Sequence, residues 1–291
     1  MSRIEEALQK LQARSPRGPA PALPTPRLAT VEPREHEYAG RRIIVDRVQL
    51  RANGLLALDA EERQLAEQYR AIKRPLLRNA DPRRDPPMTR GNLLMVASAL
   101  PGEGKTFTCV NLCLSMAREK DWTVVLVDGD CSKPHLTRLF GAENEPGLID
   151  LLRDPTLSFD QLVMPTDVPG LSLLPAGSRD LRASELLASK RMDDFCAALS
   201  SADPGRIVVF DSSPLLLTTE SPALAHHMGQ IAMVVRANDT QRDAVMTALD
   251  KLDATKAIAC ILNRNAEAGD PGDPYGYGYG YGYGDAEEKS A

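Results

Sequence analysis

The chain is short of the features that mark a membrane-spanning, secreted or metal-binding protein. No apolar run approaches the ~18 residues of a membrane-spanning helix, and the amino terminus lacks the apolar core of a secretory signal. The five cysteines have no metal-ligand or paired spacing, which is typical of reduced thiols. His226 and His227 have no spaced ligands elsewhere, so we interpret them as structural. These absences predict a cytoplasmic protein.

What is present describes a globular chain with its charge unevenly distributed. Of 291 residues, 43% are hydrophobic and 26% charged, which is typical of a folded domain. The net charge of −5 combines +6 over residues 1–90 with −11 over the remainder. This asymmetry favours head-to-tail contact between copies or contact with an anionic surface. The alternative interpretation of the asymmetry is two separate charged faces that are both exposed to solvent. We expect no nucleic-acid partner.

The first 40 residues divide into a short helix and a linker. Residues 1–15 carry Ile4, Ala7, Leu8 and Leu11 at helical spacing, which predicts an amphipathic helix over 3–14. Such a helix is marginal alone, so we expect it to dock on a partner or a membrane surface. Residues 16–40 contain six prolines between Pro16 and Pro33 and predict a semi-rigid linker.

Residues 41–90 form a predicted helical and oligomerisation segment. A helix is expected over 59–79, with Asp59 as its N-cap, and Pro75 and the 81–87 cluster are expected to end it. Glu67, Arg70 and Lys73 recur every third residue and so lie along one side of this helix. A solvated charged face is the plainer interpretation. Residues 41–58 show no assignable pattern.

Residues 91–265 alternate short apolar runs with helical patterns. Strands are predicted at 93–97, 123–127, 171–174, 207–210, 231–235 and 258–262, and helices near 105–119, 184–200, 221–228 and 240–254. Alternation of this kind predicts an α/β fold, a P-loop NTPase-like and mostly parallel sheet with helices on both faces. Ligands of such sheets bind beyond the carboxyl ends of the strands.

A phosphate-binding loop follows the first predicted strand. Strand, Gly-rich turn, Lys105-Thr106 and helix occur in the order that this motif requires, although Ala99 stands where its first glycine is expected. Loop amides would surround phosphate oxygens, Lys105 would add a charge, and Thr106 would offer its hydroxyl to Mg²⁺. The expected nucleotide-binding residues at the loop are Pro101, Gly102, Glu103, Gly104, Lys105, Thr106 and Phe107.

Acidic residues end two further buried strands. Asp128 and Asp130 follow 123–127, and Asp211 follows 207–210. Buried carboxylates need a compensating cation or proton, and Asp211 resembles the acid that holds Mg²⁺ in phosphate-loop enzymes. Asn263 follows the last strand, where its amide suits a purine edge or a turn.

The tail, residues 266–291, is predicted to be disordered. It alternates tyrosine with glycine, which gives high backbone entropy and little apolar area to bury. Accessible phenols make a good phosphate acceptor; a sticky or stacking surface is the alternative. The candidate phosphoacceptors are Tyr275, Tyr277, Tyr279, Tyr281 and Tyr283.

Together these motifs resemble the bacterial tyrosine kinase family, in particular the separate-chain kinases of exosortase loci. The resemblance covers roughly residues 60–291. The family's altered phosphate loop matches Pro101 to Thr106, its hhhDxD motif matches 126–130, and its third motif matches 211–214. Glu67, Arg70 and Lys73 match its Glu-x-x-Arg-x-x-Arg assembly helix, with Lys in place of the last Arg. The basic residue usual after the second motif is shifted to Lys133.

The resemblance implies an ATP- and Mg²⁺-dependent protein-tyrosine autokinase that regulates exopolysaccharide or capsule synthesis. Lys105, Asp128 and Asp130 would be catalytic, with Asp130 preferred as base, and Thr106, Asp128 and Asp211 would position the metal. The implied partners are copies of itself in a ring, a transmembrane chain-length protein that recruits it to the inner membrane, and a phosphotyrosine phosphatase.

Two other functions are compatible with the same motifs. MinD/ParA-like positioning ATPases share the architecture, but they usually have Lys where this chain has Leu100. A non-catalytic adaptor whose nucleotide only controls docking is the third interpretation. The missing lysine and the tyrosine tail favour the kinase.

Overall fold

A computed structural model describes residues 38–56 and 62–264. Four predictions concern residues outside these ranges. They are the helix over 3–14, most of the linker, the N-cap at Asp59 and the tail with its five tyrosines. The helices are α1 (Arg47–Ala52), α2 (Glu62–Ala80), α3 (Lys105–Met116), α4 (His135–Leu139), α5 (Leu148–Arg153), α6 (Phe159–Leu162), α7 (Ala183–Leu187), α8 (Lys190–Ala202), α9 (Glu220–His227) and α10 (Arg242–Leu249). None of the described helices has the length and apolarity to cross a membrane.

The strands form one seven-stranded sheet in the order β3-β4-β2-β5-β1-β6-β7. Every pair is parallel except β3–β4, which is antiparallel. The strands are β1 (Leu93–Ser98), β2 (Thr123–Asp128), β3 (Met164–Pro165), β4 (Leu171–Leu174), β5 (Arg206–Asp211), β6 (Gln230–Arg236) and β7 (Ala257–Asn263). All six predicted strands are present, and the predicted α/β fold is confirmed.

Helices cover both faces of the sheet. Successive strand residues point to opposite faces, so Leu93 and Met95 join one buried cluster while Leu94 and Val96 join another. The first cluster packs against α5–α10, and the second packs against α1–α4. The central strands β1 and β5 are buried along their whole length. Sheets covered on both faces need such continuous apolar strands.

Pro75 does not end its helix, contrary to the prediction. Helix α2 continues through Pro75 to Ala80. Tyr69, Leu76 and Ala80 on either side of the proline are buried in the same cluster. Burial of those side chains outweighs the ~3 kcal/mol that an interior proline costs.

The pattern over 184–200 was predicted as one helix and is two. Helix α7 ends at Leu187, and α8 begins after Ser189, whose side chain accepts a hydrogen bond from the Met192 amide. A serine cap of this kind starts a new helix. Helices α1 and α4–α6 and strand β3 were not predicted, because elements of two to six residues are too short to show a period.

Candidate active site

The carboxyl ends of the parallel strands bring the predicted site residues to one edge of the sheet. The phosphate loop follows β1, Asp128 ends β2, Asp211 ends β5, and Asn263 ends β7. Asp128 and Asp211 occupy neighbouring positions in the β2–β5 register. Residues that lie far apart in the sequence therefore form one cluster.

Glycines give the phosphate loop its shape. Gly102 and Gly104 adopt left-handed backbone conformations, with φ of 79° and 90°, which residues bearing a Cβ rarely adopt. Gly104 also packs directly against the Asn263 amide, where a Cβ would collide. Helix α3 starts at Lys105 immediately after it. The loop thus ends at a helix N-terminus, where free amides favour an anion.

Thr106 and Asp211 form the polar centre of the site. The Thr106 hydroxyl donates to Asp211 Oδ2 at 2.8 Å. Asp211 is only 2% exposed, and its Oδ1 is buried without a hydrogen-bond partner. Burial raises the pKa of Asp211, while the nearby Lys105 charge and the Thr106 hydrogen bond lower it.

An unpartnered buried carboxylate oxygen beside a hydroxyl suits Mg²⁺. This cation prefers oxygen ligands and is usually held by one or two protein groups together with water and substrate phosphates. Within residues 38–56 and 62–264 no three His, Cys, Asp or Glu side chains come close enough to hold a metal by themselves. Thr106 and Asp211 therefore fit a metal shared with a bound nucleotide.

Asp128 is buried and held by its neighbours. Its Oδ2 accepts from the amide and the hydroxyl of Thr137, both at 2.7 Å, and its Oδ1 accepts from the Asp130 amide at 3.3 Å. Burial raises the pKa of Asp128 to about 7, an effect that the Thr137 amide opposes. Thr137 also accepts from the Ala176 amide at 3.0 Å. Thr137 was not predicted, because a lone threonine belongs to no recognisable sequence pattern.

Asp130 is the more accessible of the two acids after β2. Its Oδ1 accepts from the Lys133 amide at 3.0 Å, and the residue is partly exposed. Burial raises its pKa, whereas the Lys133 amide and the Lys105 charge lower it. Lys133 itself is exposed, and the neighbouring Ser132 hydroxyl donates to Glu220 at 2.8 Å.

Glu103 and Asn263 connect the loop to the far side of the site. Glu103 is buried, with its carboxylate bound by the Leu100 amide at 2.7 Å and by the Thr240 hydroxyl. Asn263 Nδ2 donates to the Glu103 carbonyl at 2.9 Å. Pro101 and Gly102 are exposed, and Phe107 packs against the core.

The three residues of the predicted assembly helix do not share one environment. Arg70 and Glu67 are exposed and pair with each other at 2.5 Å. Lys73 is buried and contacts Glu119 at 2.6 Å and the Ser115 carbonyl at 2.7 Å. Lys73 therefore joins α2 to the end of α3 within one chain, and of these three residues Glu67 and Arg70 face solvent.

A separate cavity of about 480 Å³ lies between α1, α2 and α3, away from the phosphate loop. Arg47, Arg51 and Arg118 stand among its lining residues, together with Leu65 and Tyr69. It contains none of the predicted site residues.

Known tyrosine kinases are similar to this chain over part of its length. No protein-family model matches the chain. The tyrosine-protein kinase ptk of Acinetobacter johnsonii is 30% identical over 176 residues, covering 60% of this chain and 24% of that protein. The tyrosine-protein kinase YwqD of Bacillus subtilis is 30% identical over 176 residues, covering 58% of this chain and 71% of that protein. The VpsO kinase domain superposes with a TM-score of 0.59 at 29% identity, covering 72% of this chain and 99% of that domain.

The parallel sheet, the phosphate loop after β1 and the acids after β2 and β5 define a P-loop NTPase-like domain. Within that class, the chain belongs to the bacterial tyrosine kinase family. The family resemblance noted in the sequence is thereby confirmed. The chain spans only about a fifth to a quarter of the length of the curated relatives that it matches first.

Proposed function

We propose that the chain is an ATP-dependent protein-tyrosine kinase that phosphorylates its own tail tyrosines, Tyr275 to Tyr283, between copies. The observation that carries this proposal is the Thr106–Asp211 pair with its unpartnered oxygen beside Lys105. Loop amides and Lys105 would hold the phosphates of ATP. Thr106 and Asp211 would hold Mg²⁺, which supplies charge neutralisation at the phosphates when bound.

The reaction asks the protein mainly to position its substrates. The phenol oxygen of a tail tyrosine attacks the γ-phosphorus of ATP, and the bond from that phosphorus to the β–γ bridging oxygen breaks. ADP leaves with that oxygen, and the phenol proton passes to a carboxylate. Asp130 suits this role because it is partly exposed, whereas both Asp128 oxygens already accept hydrogen bonds.

Asp128 would then act mainly by position. Thr137 fixes its carboxylate at the end of β2, next to Asp211 in the neighbouring strand. Its expected contribution near the metal, and that of Asn263 at the purine, remain predictions. The Asn263 amide already donates to the Glu103 carbonyl, so a purine contact would use its second amide hydrogen.

The family resemblance and the exposed charges of α2 support a proposal for how the chain assembles and is regulated. Exposed Glu67 and Arg70 are available for contact with a neighbouring copy in a ring. The partners proposed for the rest of the cycle are a transmembrane chain-length protein at the inner membrane and a phosphotyrosine phosphatase, in the control of exopolysaccharide synthesis. Phosphorylation of all five tail tyrosines would add roughly −7 to −10 of charge and loosen the ring.

Incubation of the purified chain with Mg-ATP, followed by detection of phosphotyrosine, tests the proposed activity. We expect phosphotyrosine in the wild type and none in Lys105→Met, in the presence of the membrane activator if the chain alone is slow. ATP hydrolysis without phosphotyrosine would support a positioning ATPase instead. Nucleotide binding without hydrolysis or phosphotyrosine would support the adaptor.

A further inference from the structure

Glu103 places a carboxylate inside the phosphate-binding loop. Loop amides attract anions, and a carboxylate facing them would repel the phosphates of a nucleotide. In this structure Glu103 is only 2% exposed, and both of its carboxylate oxygens accept hydrogen bonds from the protein. A buried carboxylate that is fully bonded to protein groups has a structural task.

The bonds of Glu103 connect the phosphate loop to two segments that are distant in the sequence, the loop after β6 and the end of β7. Oε2 accepts from the Leu100 amide at 2.7 Å, which closes the phosphate loop on itself. Oε1 accepts from the hydroxyl of Thr240, in the loop after β6. The Glu103 carbonyl accepts from Asn263 at the end of β7 at 2.9 Å.

The loop after β6 and the end of β7, both of which Glu103 contacts, are themselves joined. The Ala237 amide donates to the Asn263 carbonyl at 2.9 Å. Thr240 Oγ1 also accepts from the Arg236 amide at 3.3 Å, which fixes the hydroxyl at the end of β6. Glu103 therefore binds two segments that are already joined to each other on one side, and the Leu100 amide on the other.

We propose that Glu103 is a positioning residue that holds the phosphate loop in its nucleotide-binding form against the loop after β6 and the end of β7. This inference rests on the proposed function, because it assumes that the loop binds a nucleotide. The Glu103 carboxylate is bound to Leu100 and Thr240, and it sets the loop amides before the nucleotide arrives. Preorganisation of this kind raises affinity by lowering the ordering cost of binding.

Variants at both ends of the Glu103–Thr240 bond test the proposal. Glu103→Ala should weaken the binding of a fluorescent ADP analogue by about tenfold, the loss expected for removing a hydrogen bond to a charged group. Glu103→Gln should largely restore affinity, because its amide oxygen can accept from Leu100 and its amide nitrogen can donate to Thr240 Oγ1. Thr240→Val should weaken binding less than Glu103→Ala, and the double variant should bind no more weakly than Glu103→Ala alone.

Thr247→Val is the matched control. Thr247 lies in α10, downstream of Thr240, and among the residues that the structure describes its hydroxyl bonds only to the Asp243 carbonyl of the same helix. We expect wild-type affinity from it. Hydrogen exchange of residues 99–104 without nucleotide adds a second readout: exchange should accelerate in Glu103→Ala and stay slow in Glu103→Gln.

Three results would overturn the inference: ADP affinity within twofold of wild type in Glu103→Ala, a Glu103→Gln variant as weak as Glu103→Ala, or fully additive losses in the double variant. A wild-type chain that binds ADP but makes no phosphotyrosine would refute the proposed kinase activity. The ADP affinities of the Glu103 variants could still be compared with that of wild type. Wild-type chain that binds no nucleotide would refute both. If Glu103→Ala does not fold, Thr240→Val against Thr247→Val decides.

Discussion

Lys73 should stabilise the protomer rather than the contact between copies. Its ammonium group lies 2.7 Å from the Ser115 carbonyl and 2.6 Å from Glu119. Ser115 is in the last turn of α3, where carbonyls lack helical partners and the helix end attracts positive charge. Lys73→Met keeps most of the apolar stem and removes these bonds.

The expected loss can be estimated from burial. The Lys73 side chain is 7% exposed, while that of Glu119 is 45% exposed and can regain water. The lasting loss is therefore the bond to the Ser115 carbonyl, at about 2 kcal/mol for a hydrogen bond to a charged group. For a domain of this size that loss corresponds to a fall in melting temperature of roughly 4–8 °C.

Thermal and urea unfolding of Lys73→Met against wild type measure the effect. Lys190→Met is the control, because Lys190 pairs with Asp194 on an exposed helix surface and should give no measurable shift. A Lys73→Met variant that unfolds within about 0.5 kcal/mol of wild type contradicts the proposed role of Lys73. A Lys73→Met variant that keeps its stability but no longer assembles contradicts that role as well.

Three further outcomes are expected. Gly102→Ala and Gly104→Ala both place alanine at a left-handed φ, but only the Cβ of Gly104→Ala would also meet Asn263, so Gly104→Ala should lose more nucleotide affinity in a binding assay than Gly102→Ala. Burial lowers the pKa of His227 below 6.5, so the unfolded chain binds more protons below that pH. The His227 contribution to the unfolding free energy should therefore fall between pH 7 and 5, while the raised pKa of Asp128 acts in the opposite direction. The unfolding free energy of wild type relative to that of His227→Gln should thus decrease over this range, with exposed His226→Gln as control; equal pH dependence in both variants would refute this. Arg70→Glu should reduce the assembled mass in light scattering without changing the melting temperature. An unchanged mass would show that α2 does not take part in the interface between copies.

The strands and the phosphate loop were predictable because their signals are local. Six apolar runs matched six strands, and the Gly-rich turn led directly into α3. Parallel strands then required that Asp128 and Asp211 meet at one edge, without any knowledge of side-chain contacts.

Other parts depended on contacts between distant residues. Thr240 reaches Glu103 across 137 positions of sequence, and a threonine in a loop carries no pattern that reveals this. Lys73 was expected on a charged surface, but the end of α3 lies against it and buries it. Pro75 was expected to end α2, but the helix continues because buried residues on both sides of the proline pack in the same cluster.

Transfer of phosphate between copies is tested most directly by mixing two variants. One chain is Lys105→Met with an intact tail, and the other is catalytically intact with Phe in place of Tyr275, Tyr277, Tyr279, Tyr281 and Tyr283. After incubation with Mg-ATP and any membrane activator that the wild type requires, mass spectrometry of the tail peptides identifies which chain carries phosphate. We predict phosphotyrosine on the tail of the Lys105→Met chain in the mixture and none when that chain is incubated alone. An unmodified tail in the mixture, under conditions where wild-type tail is phosphorylated, would contradict transfer between copies; no phosphotyrosine on the wild-type tail would contradict the kinase itself.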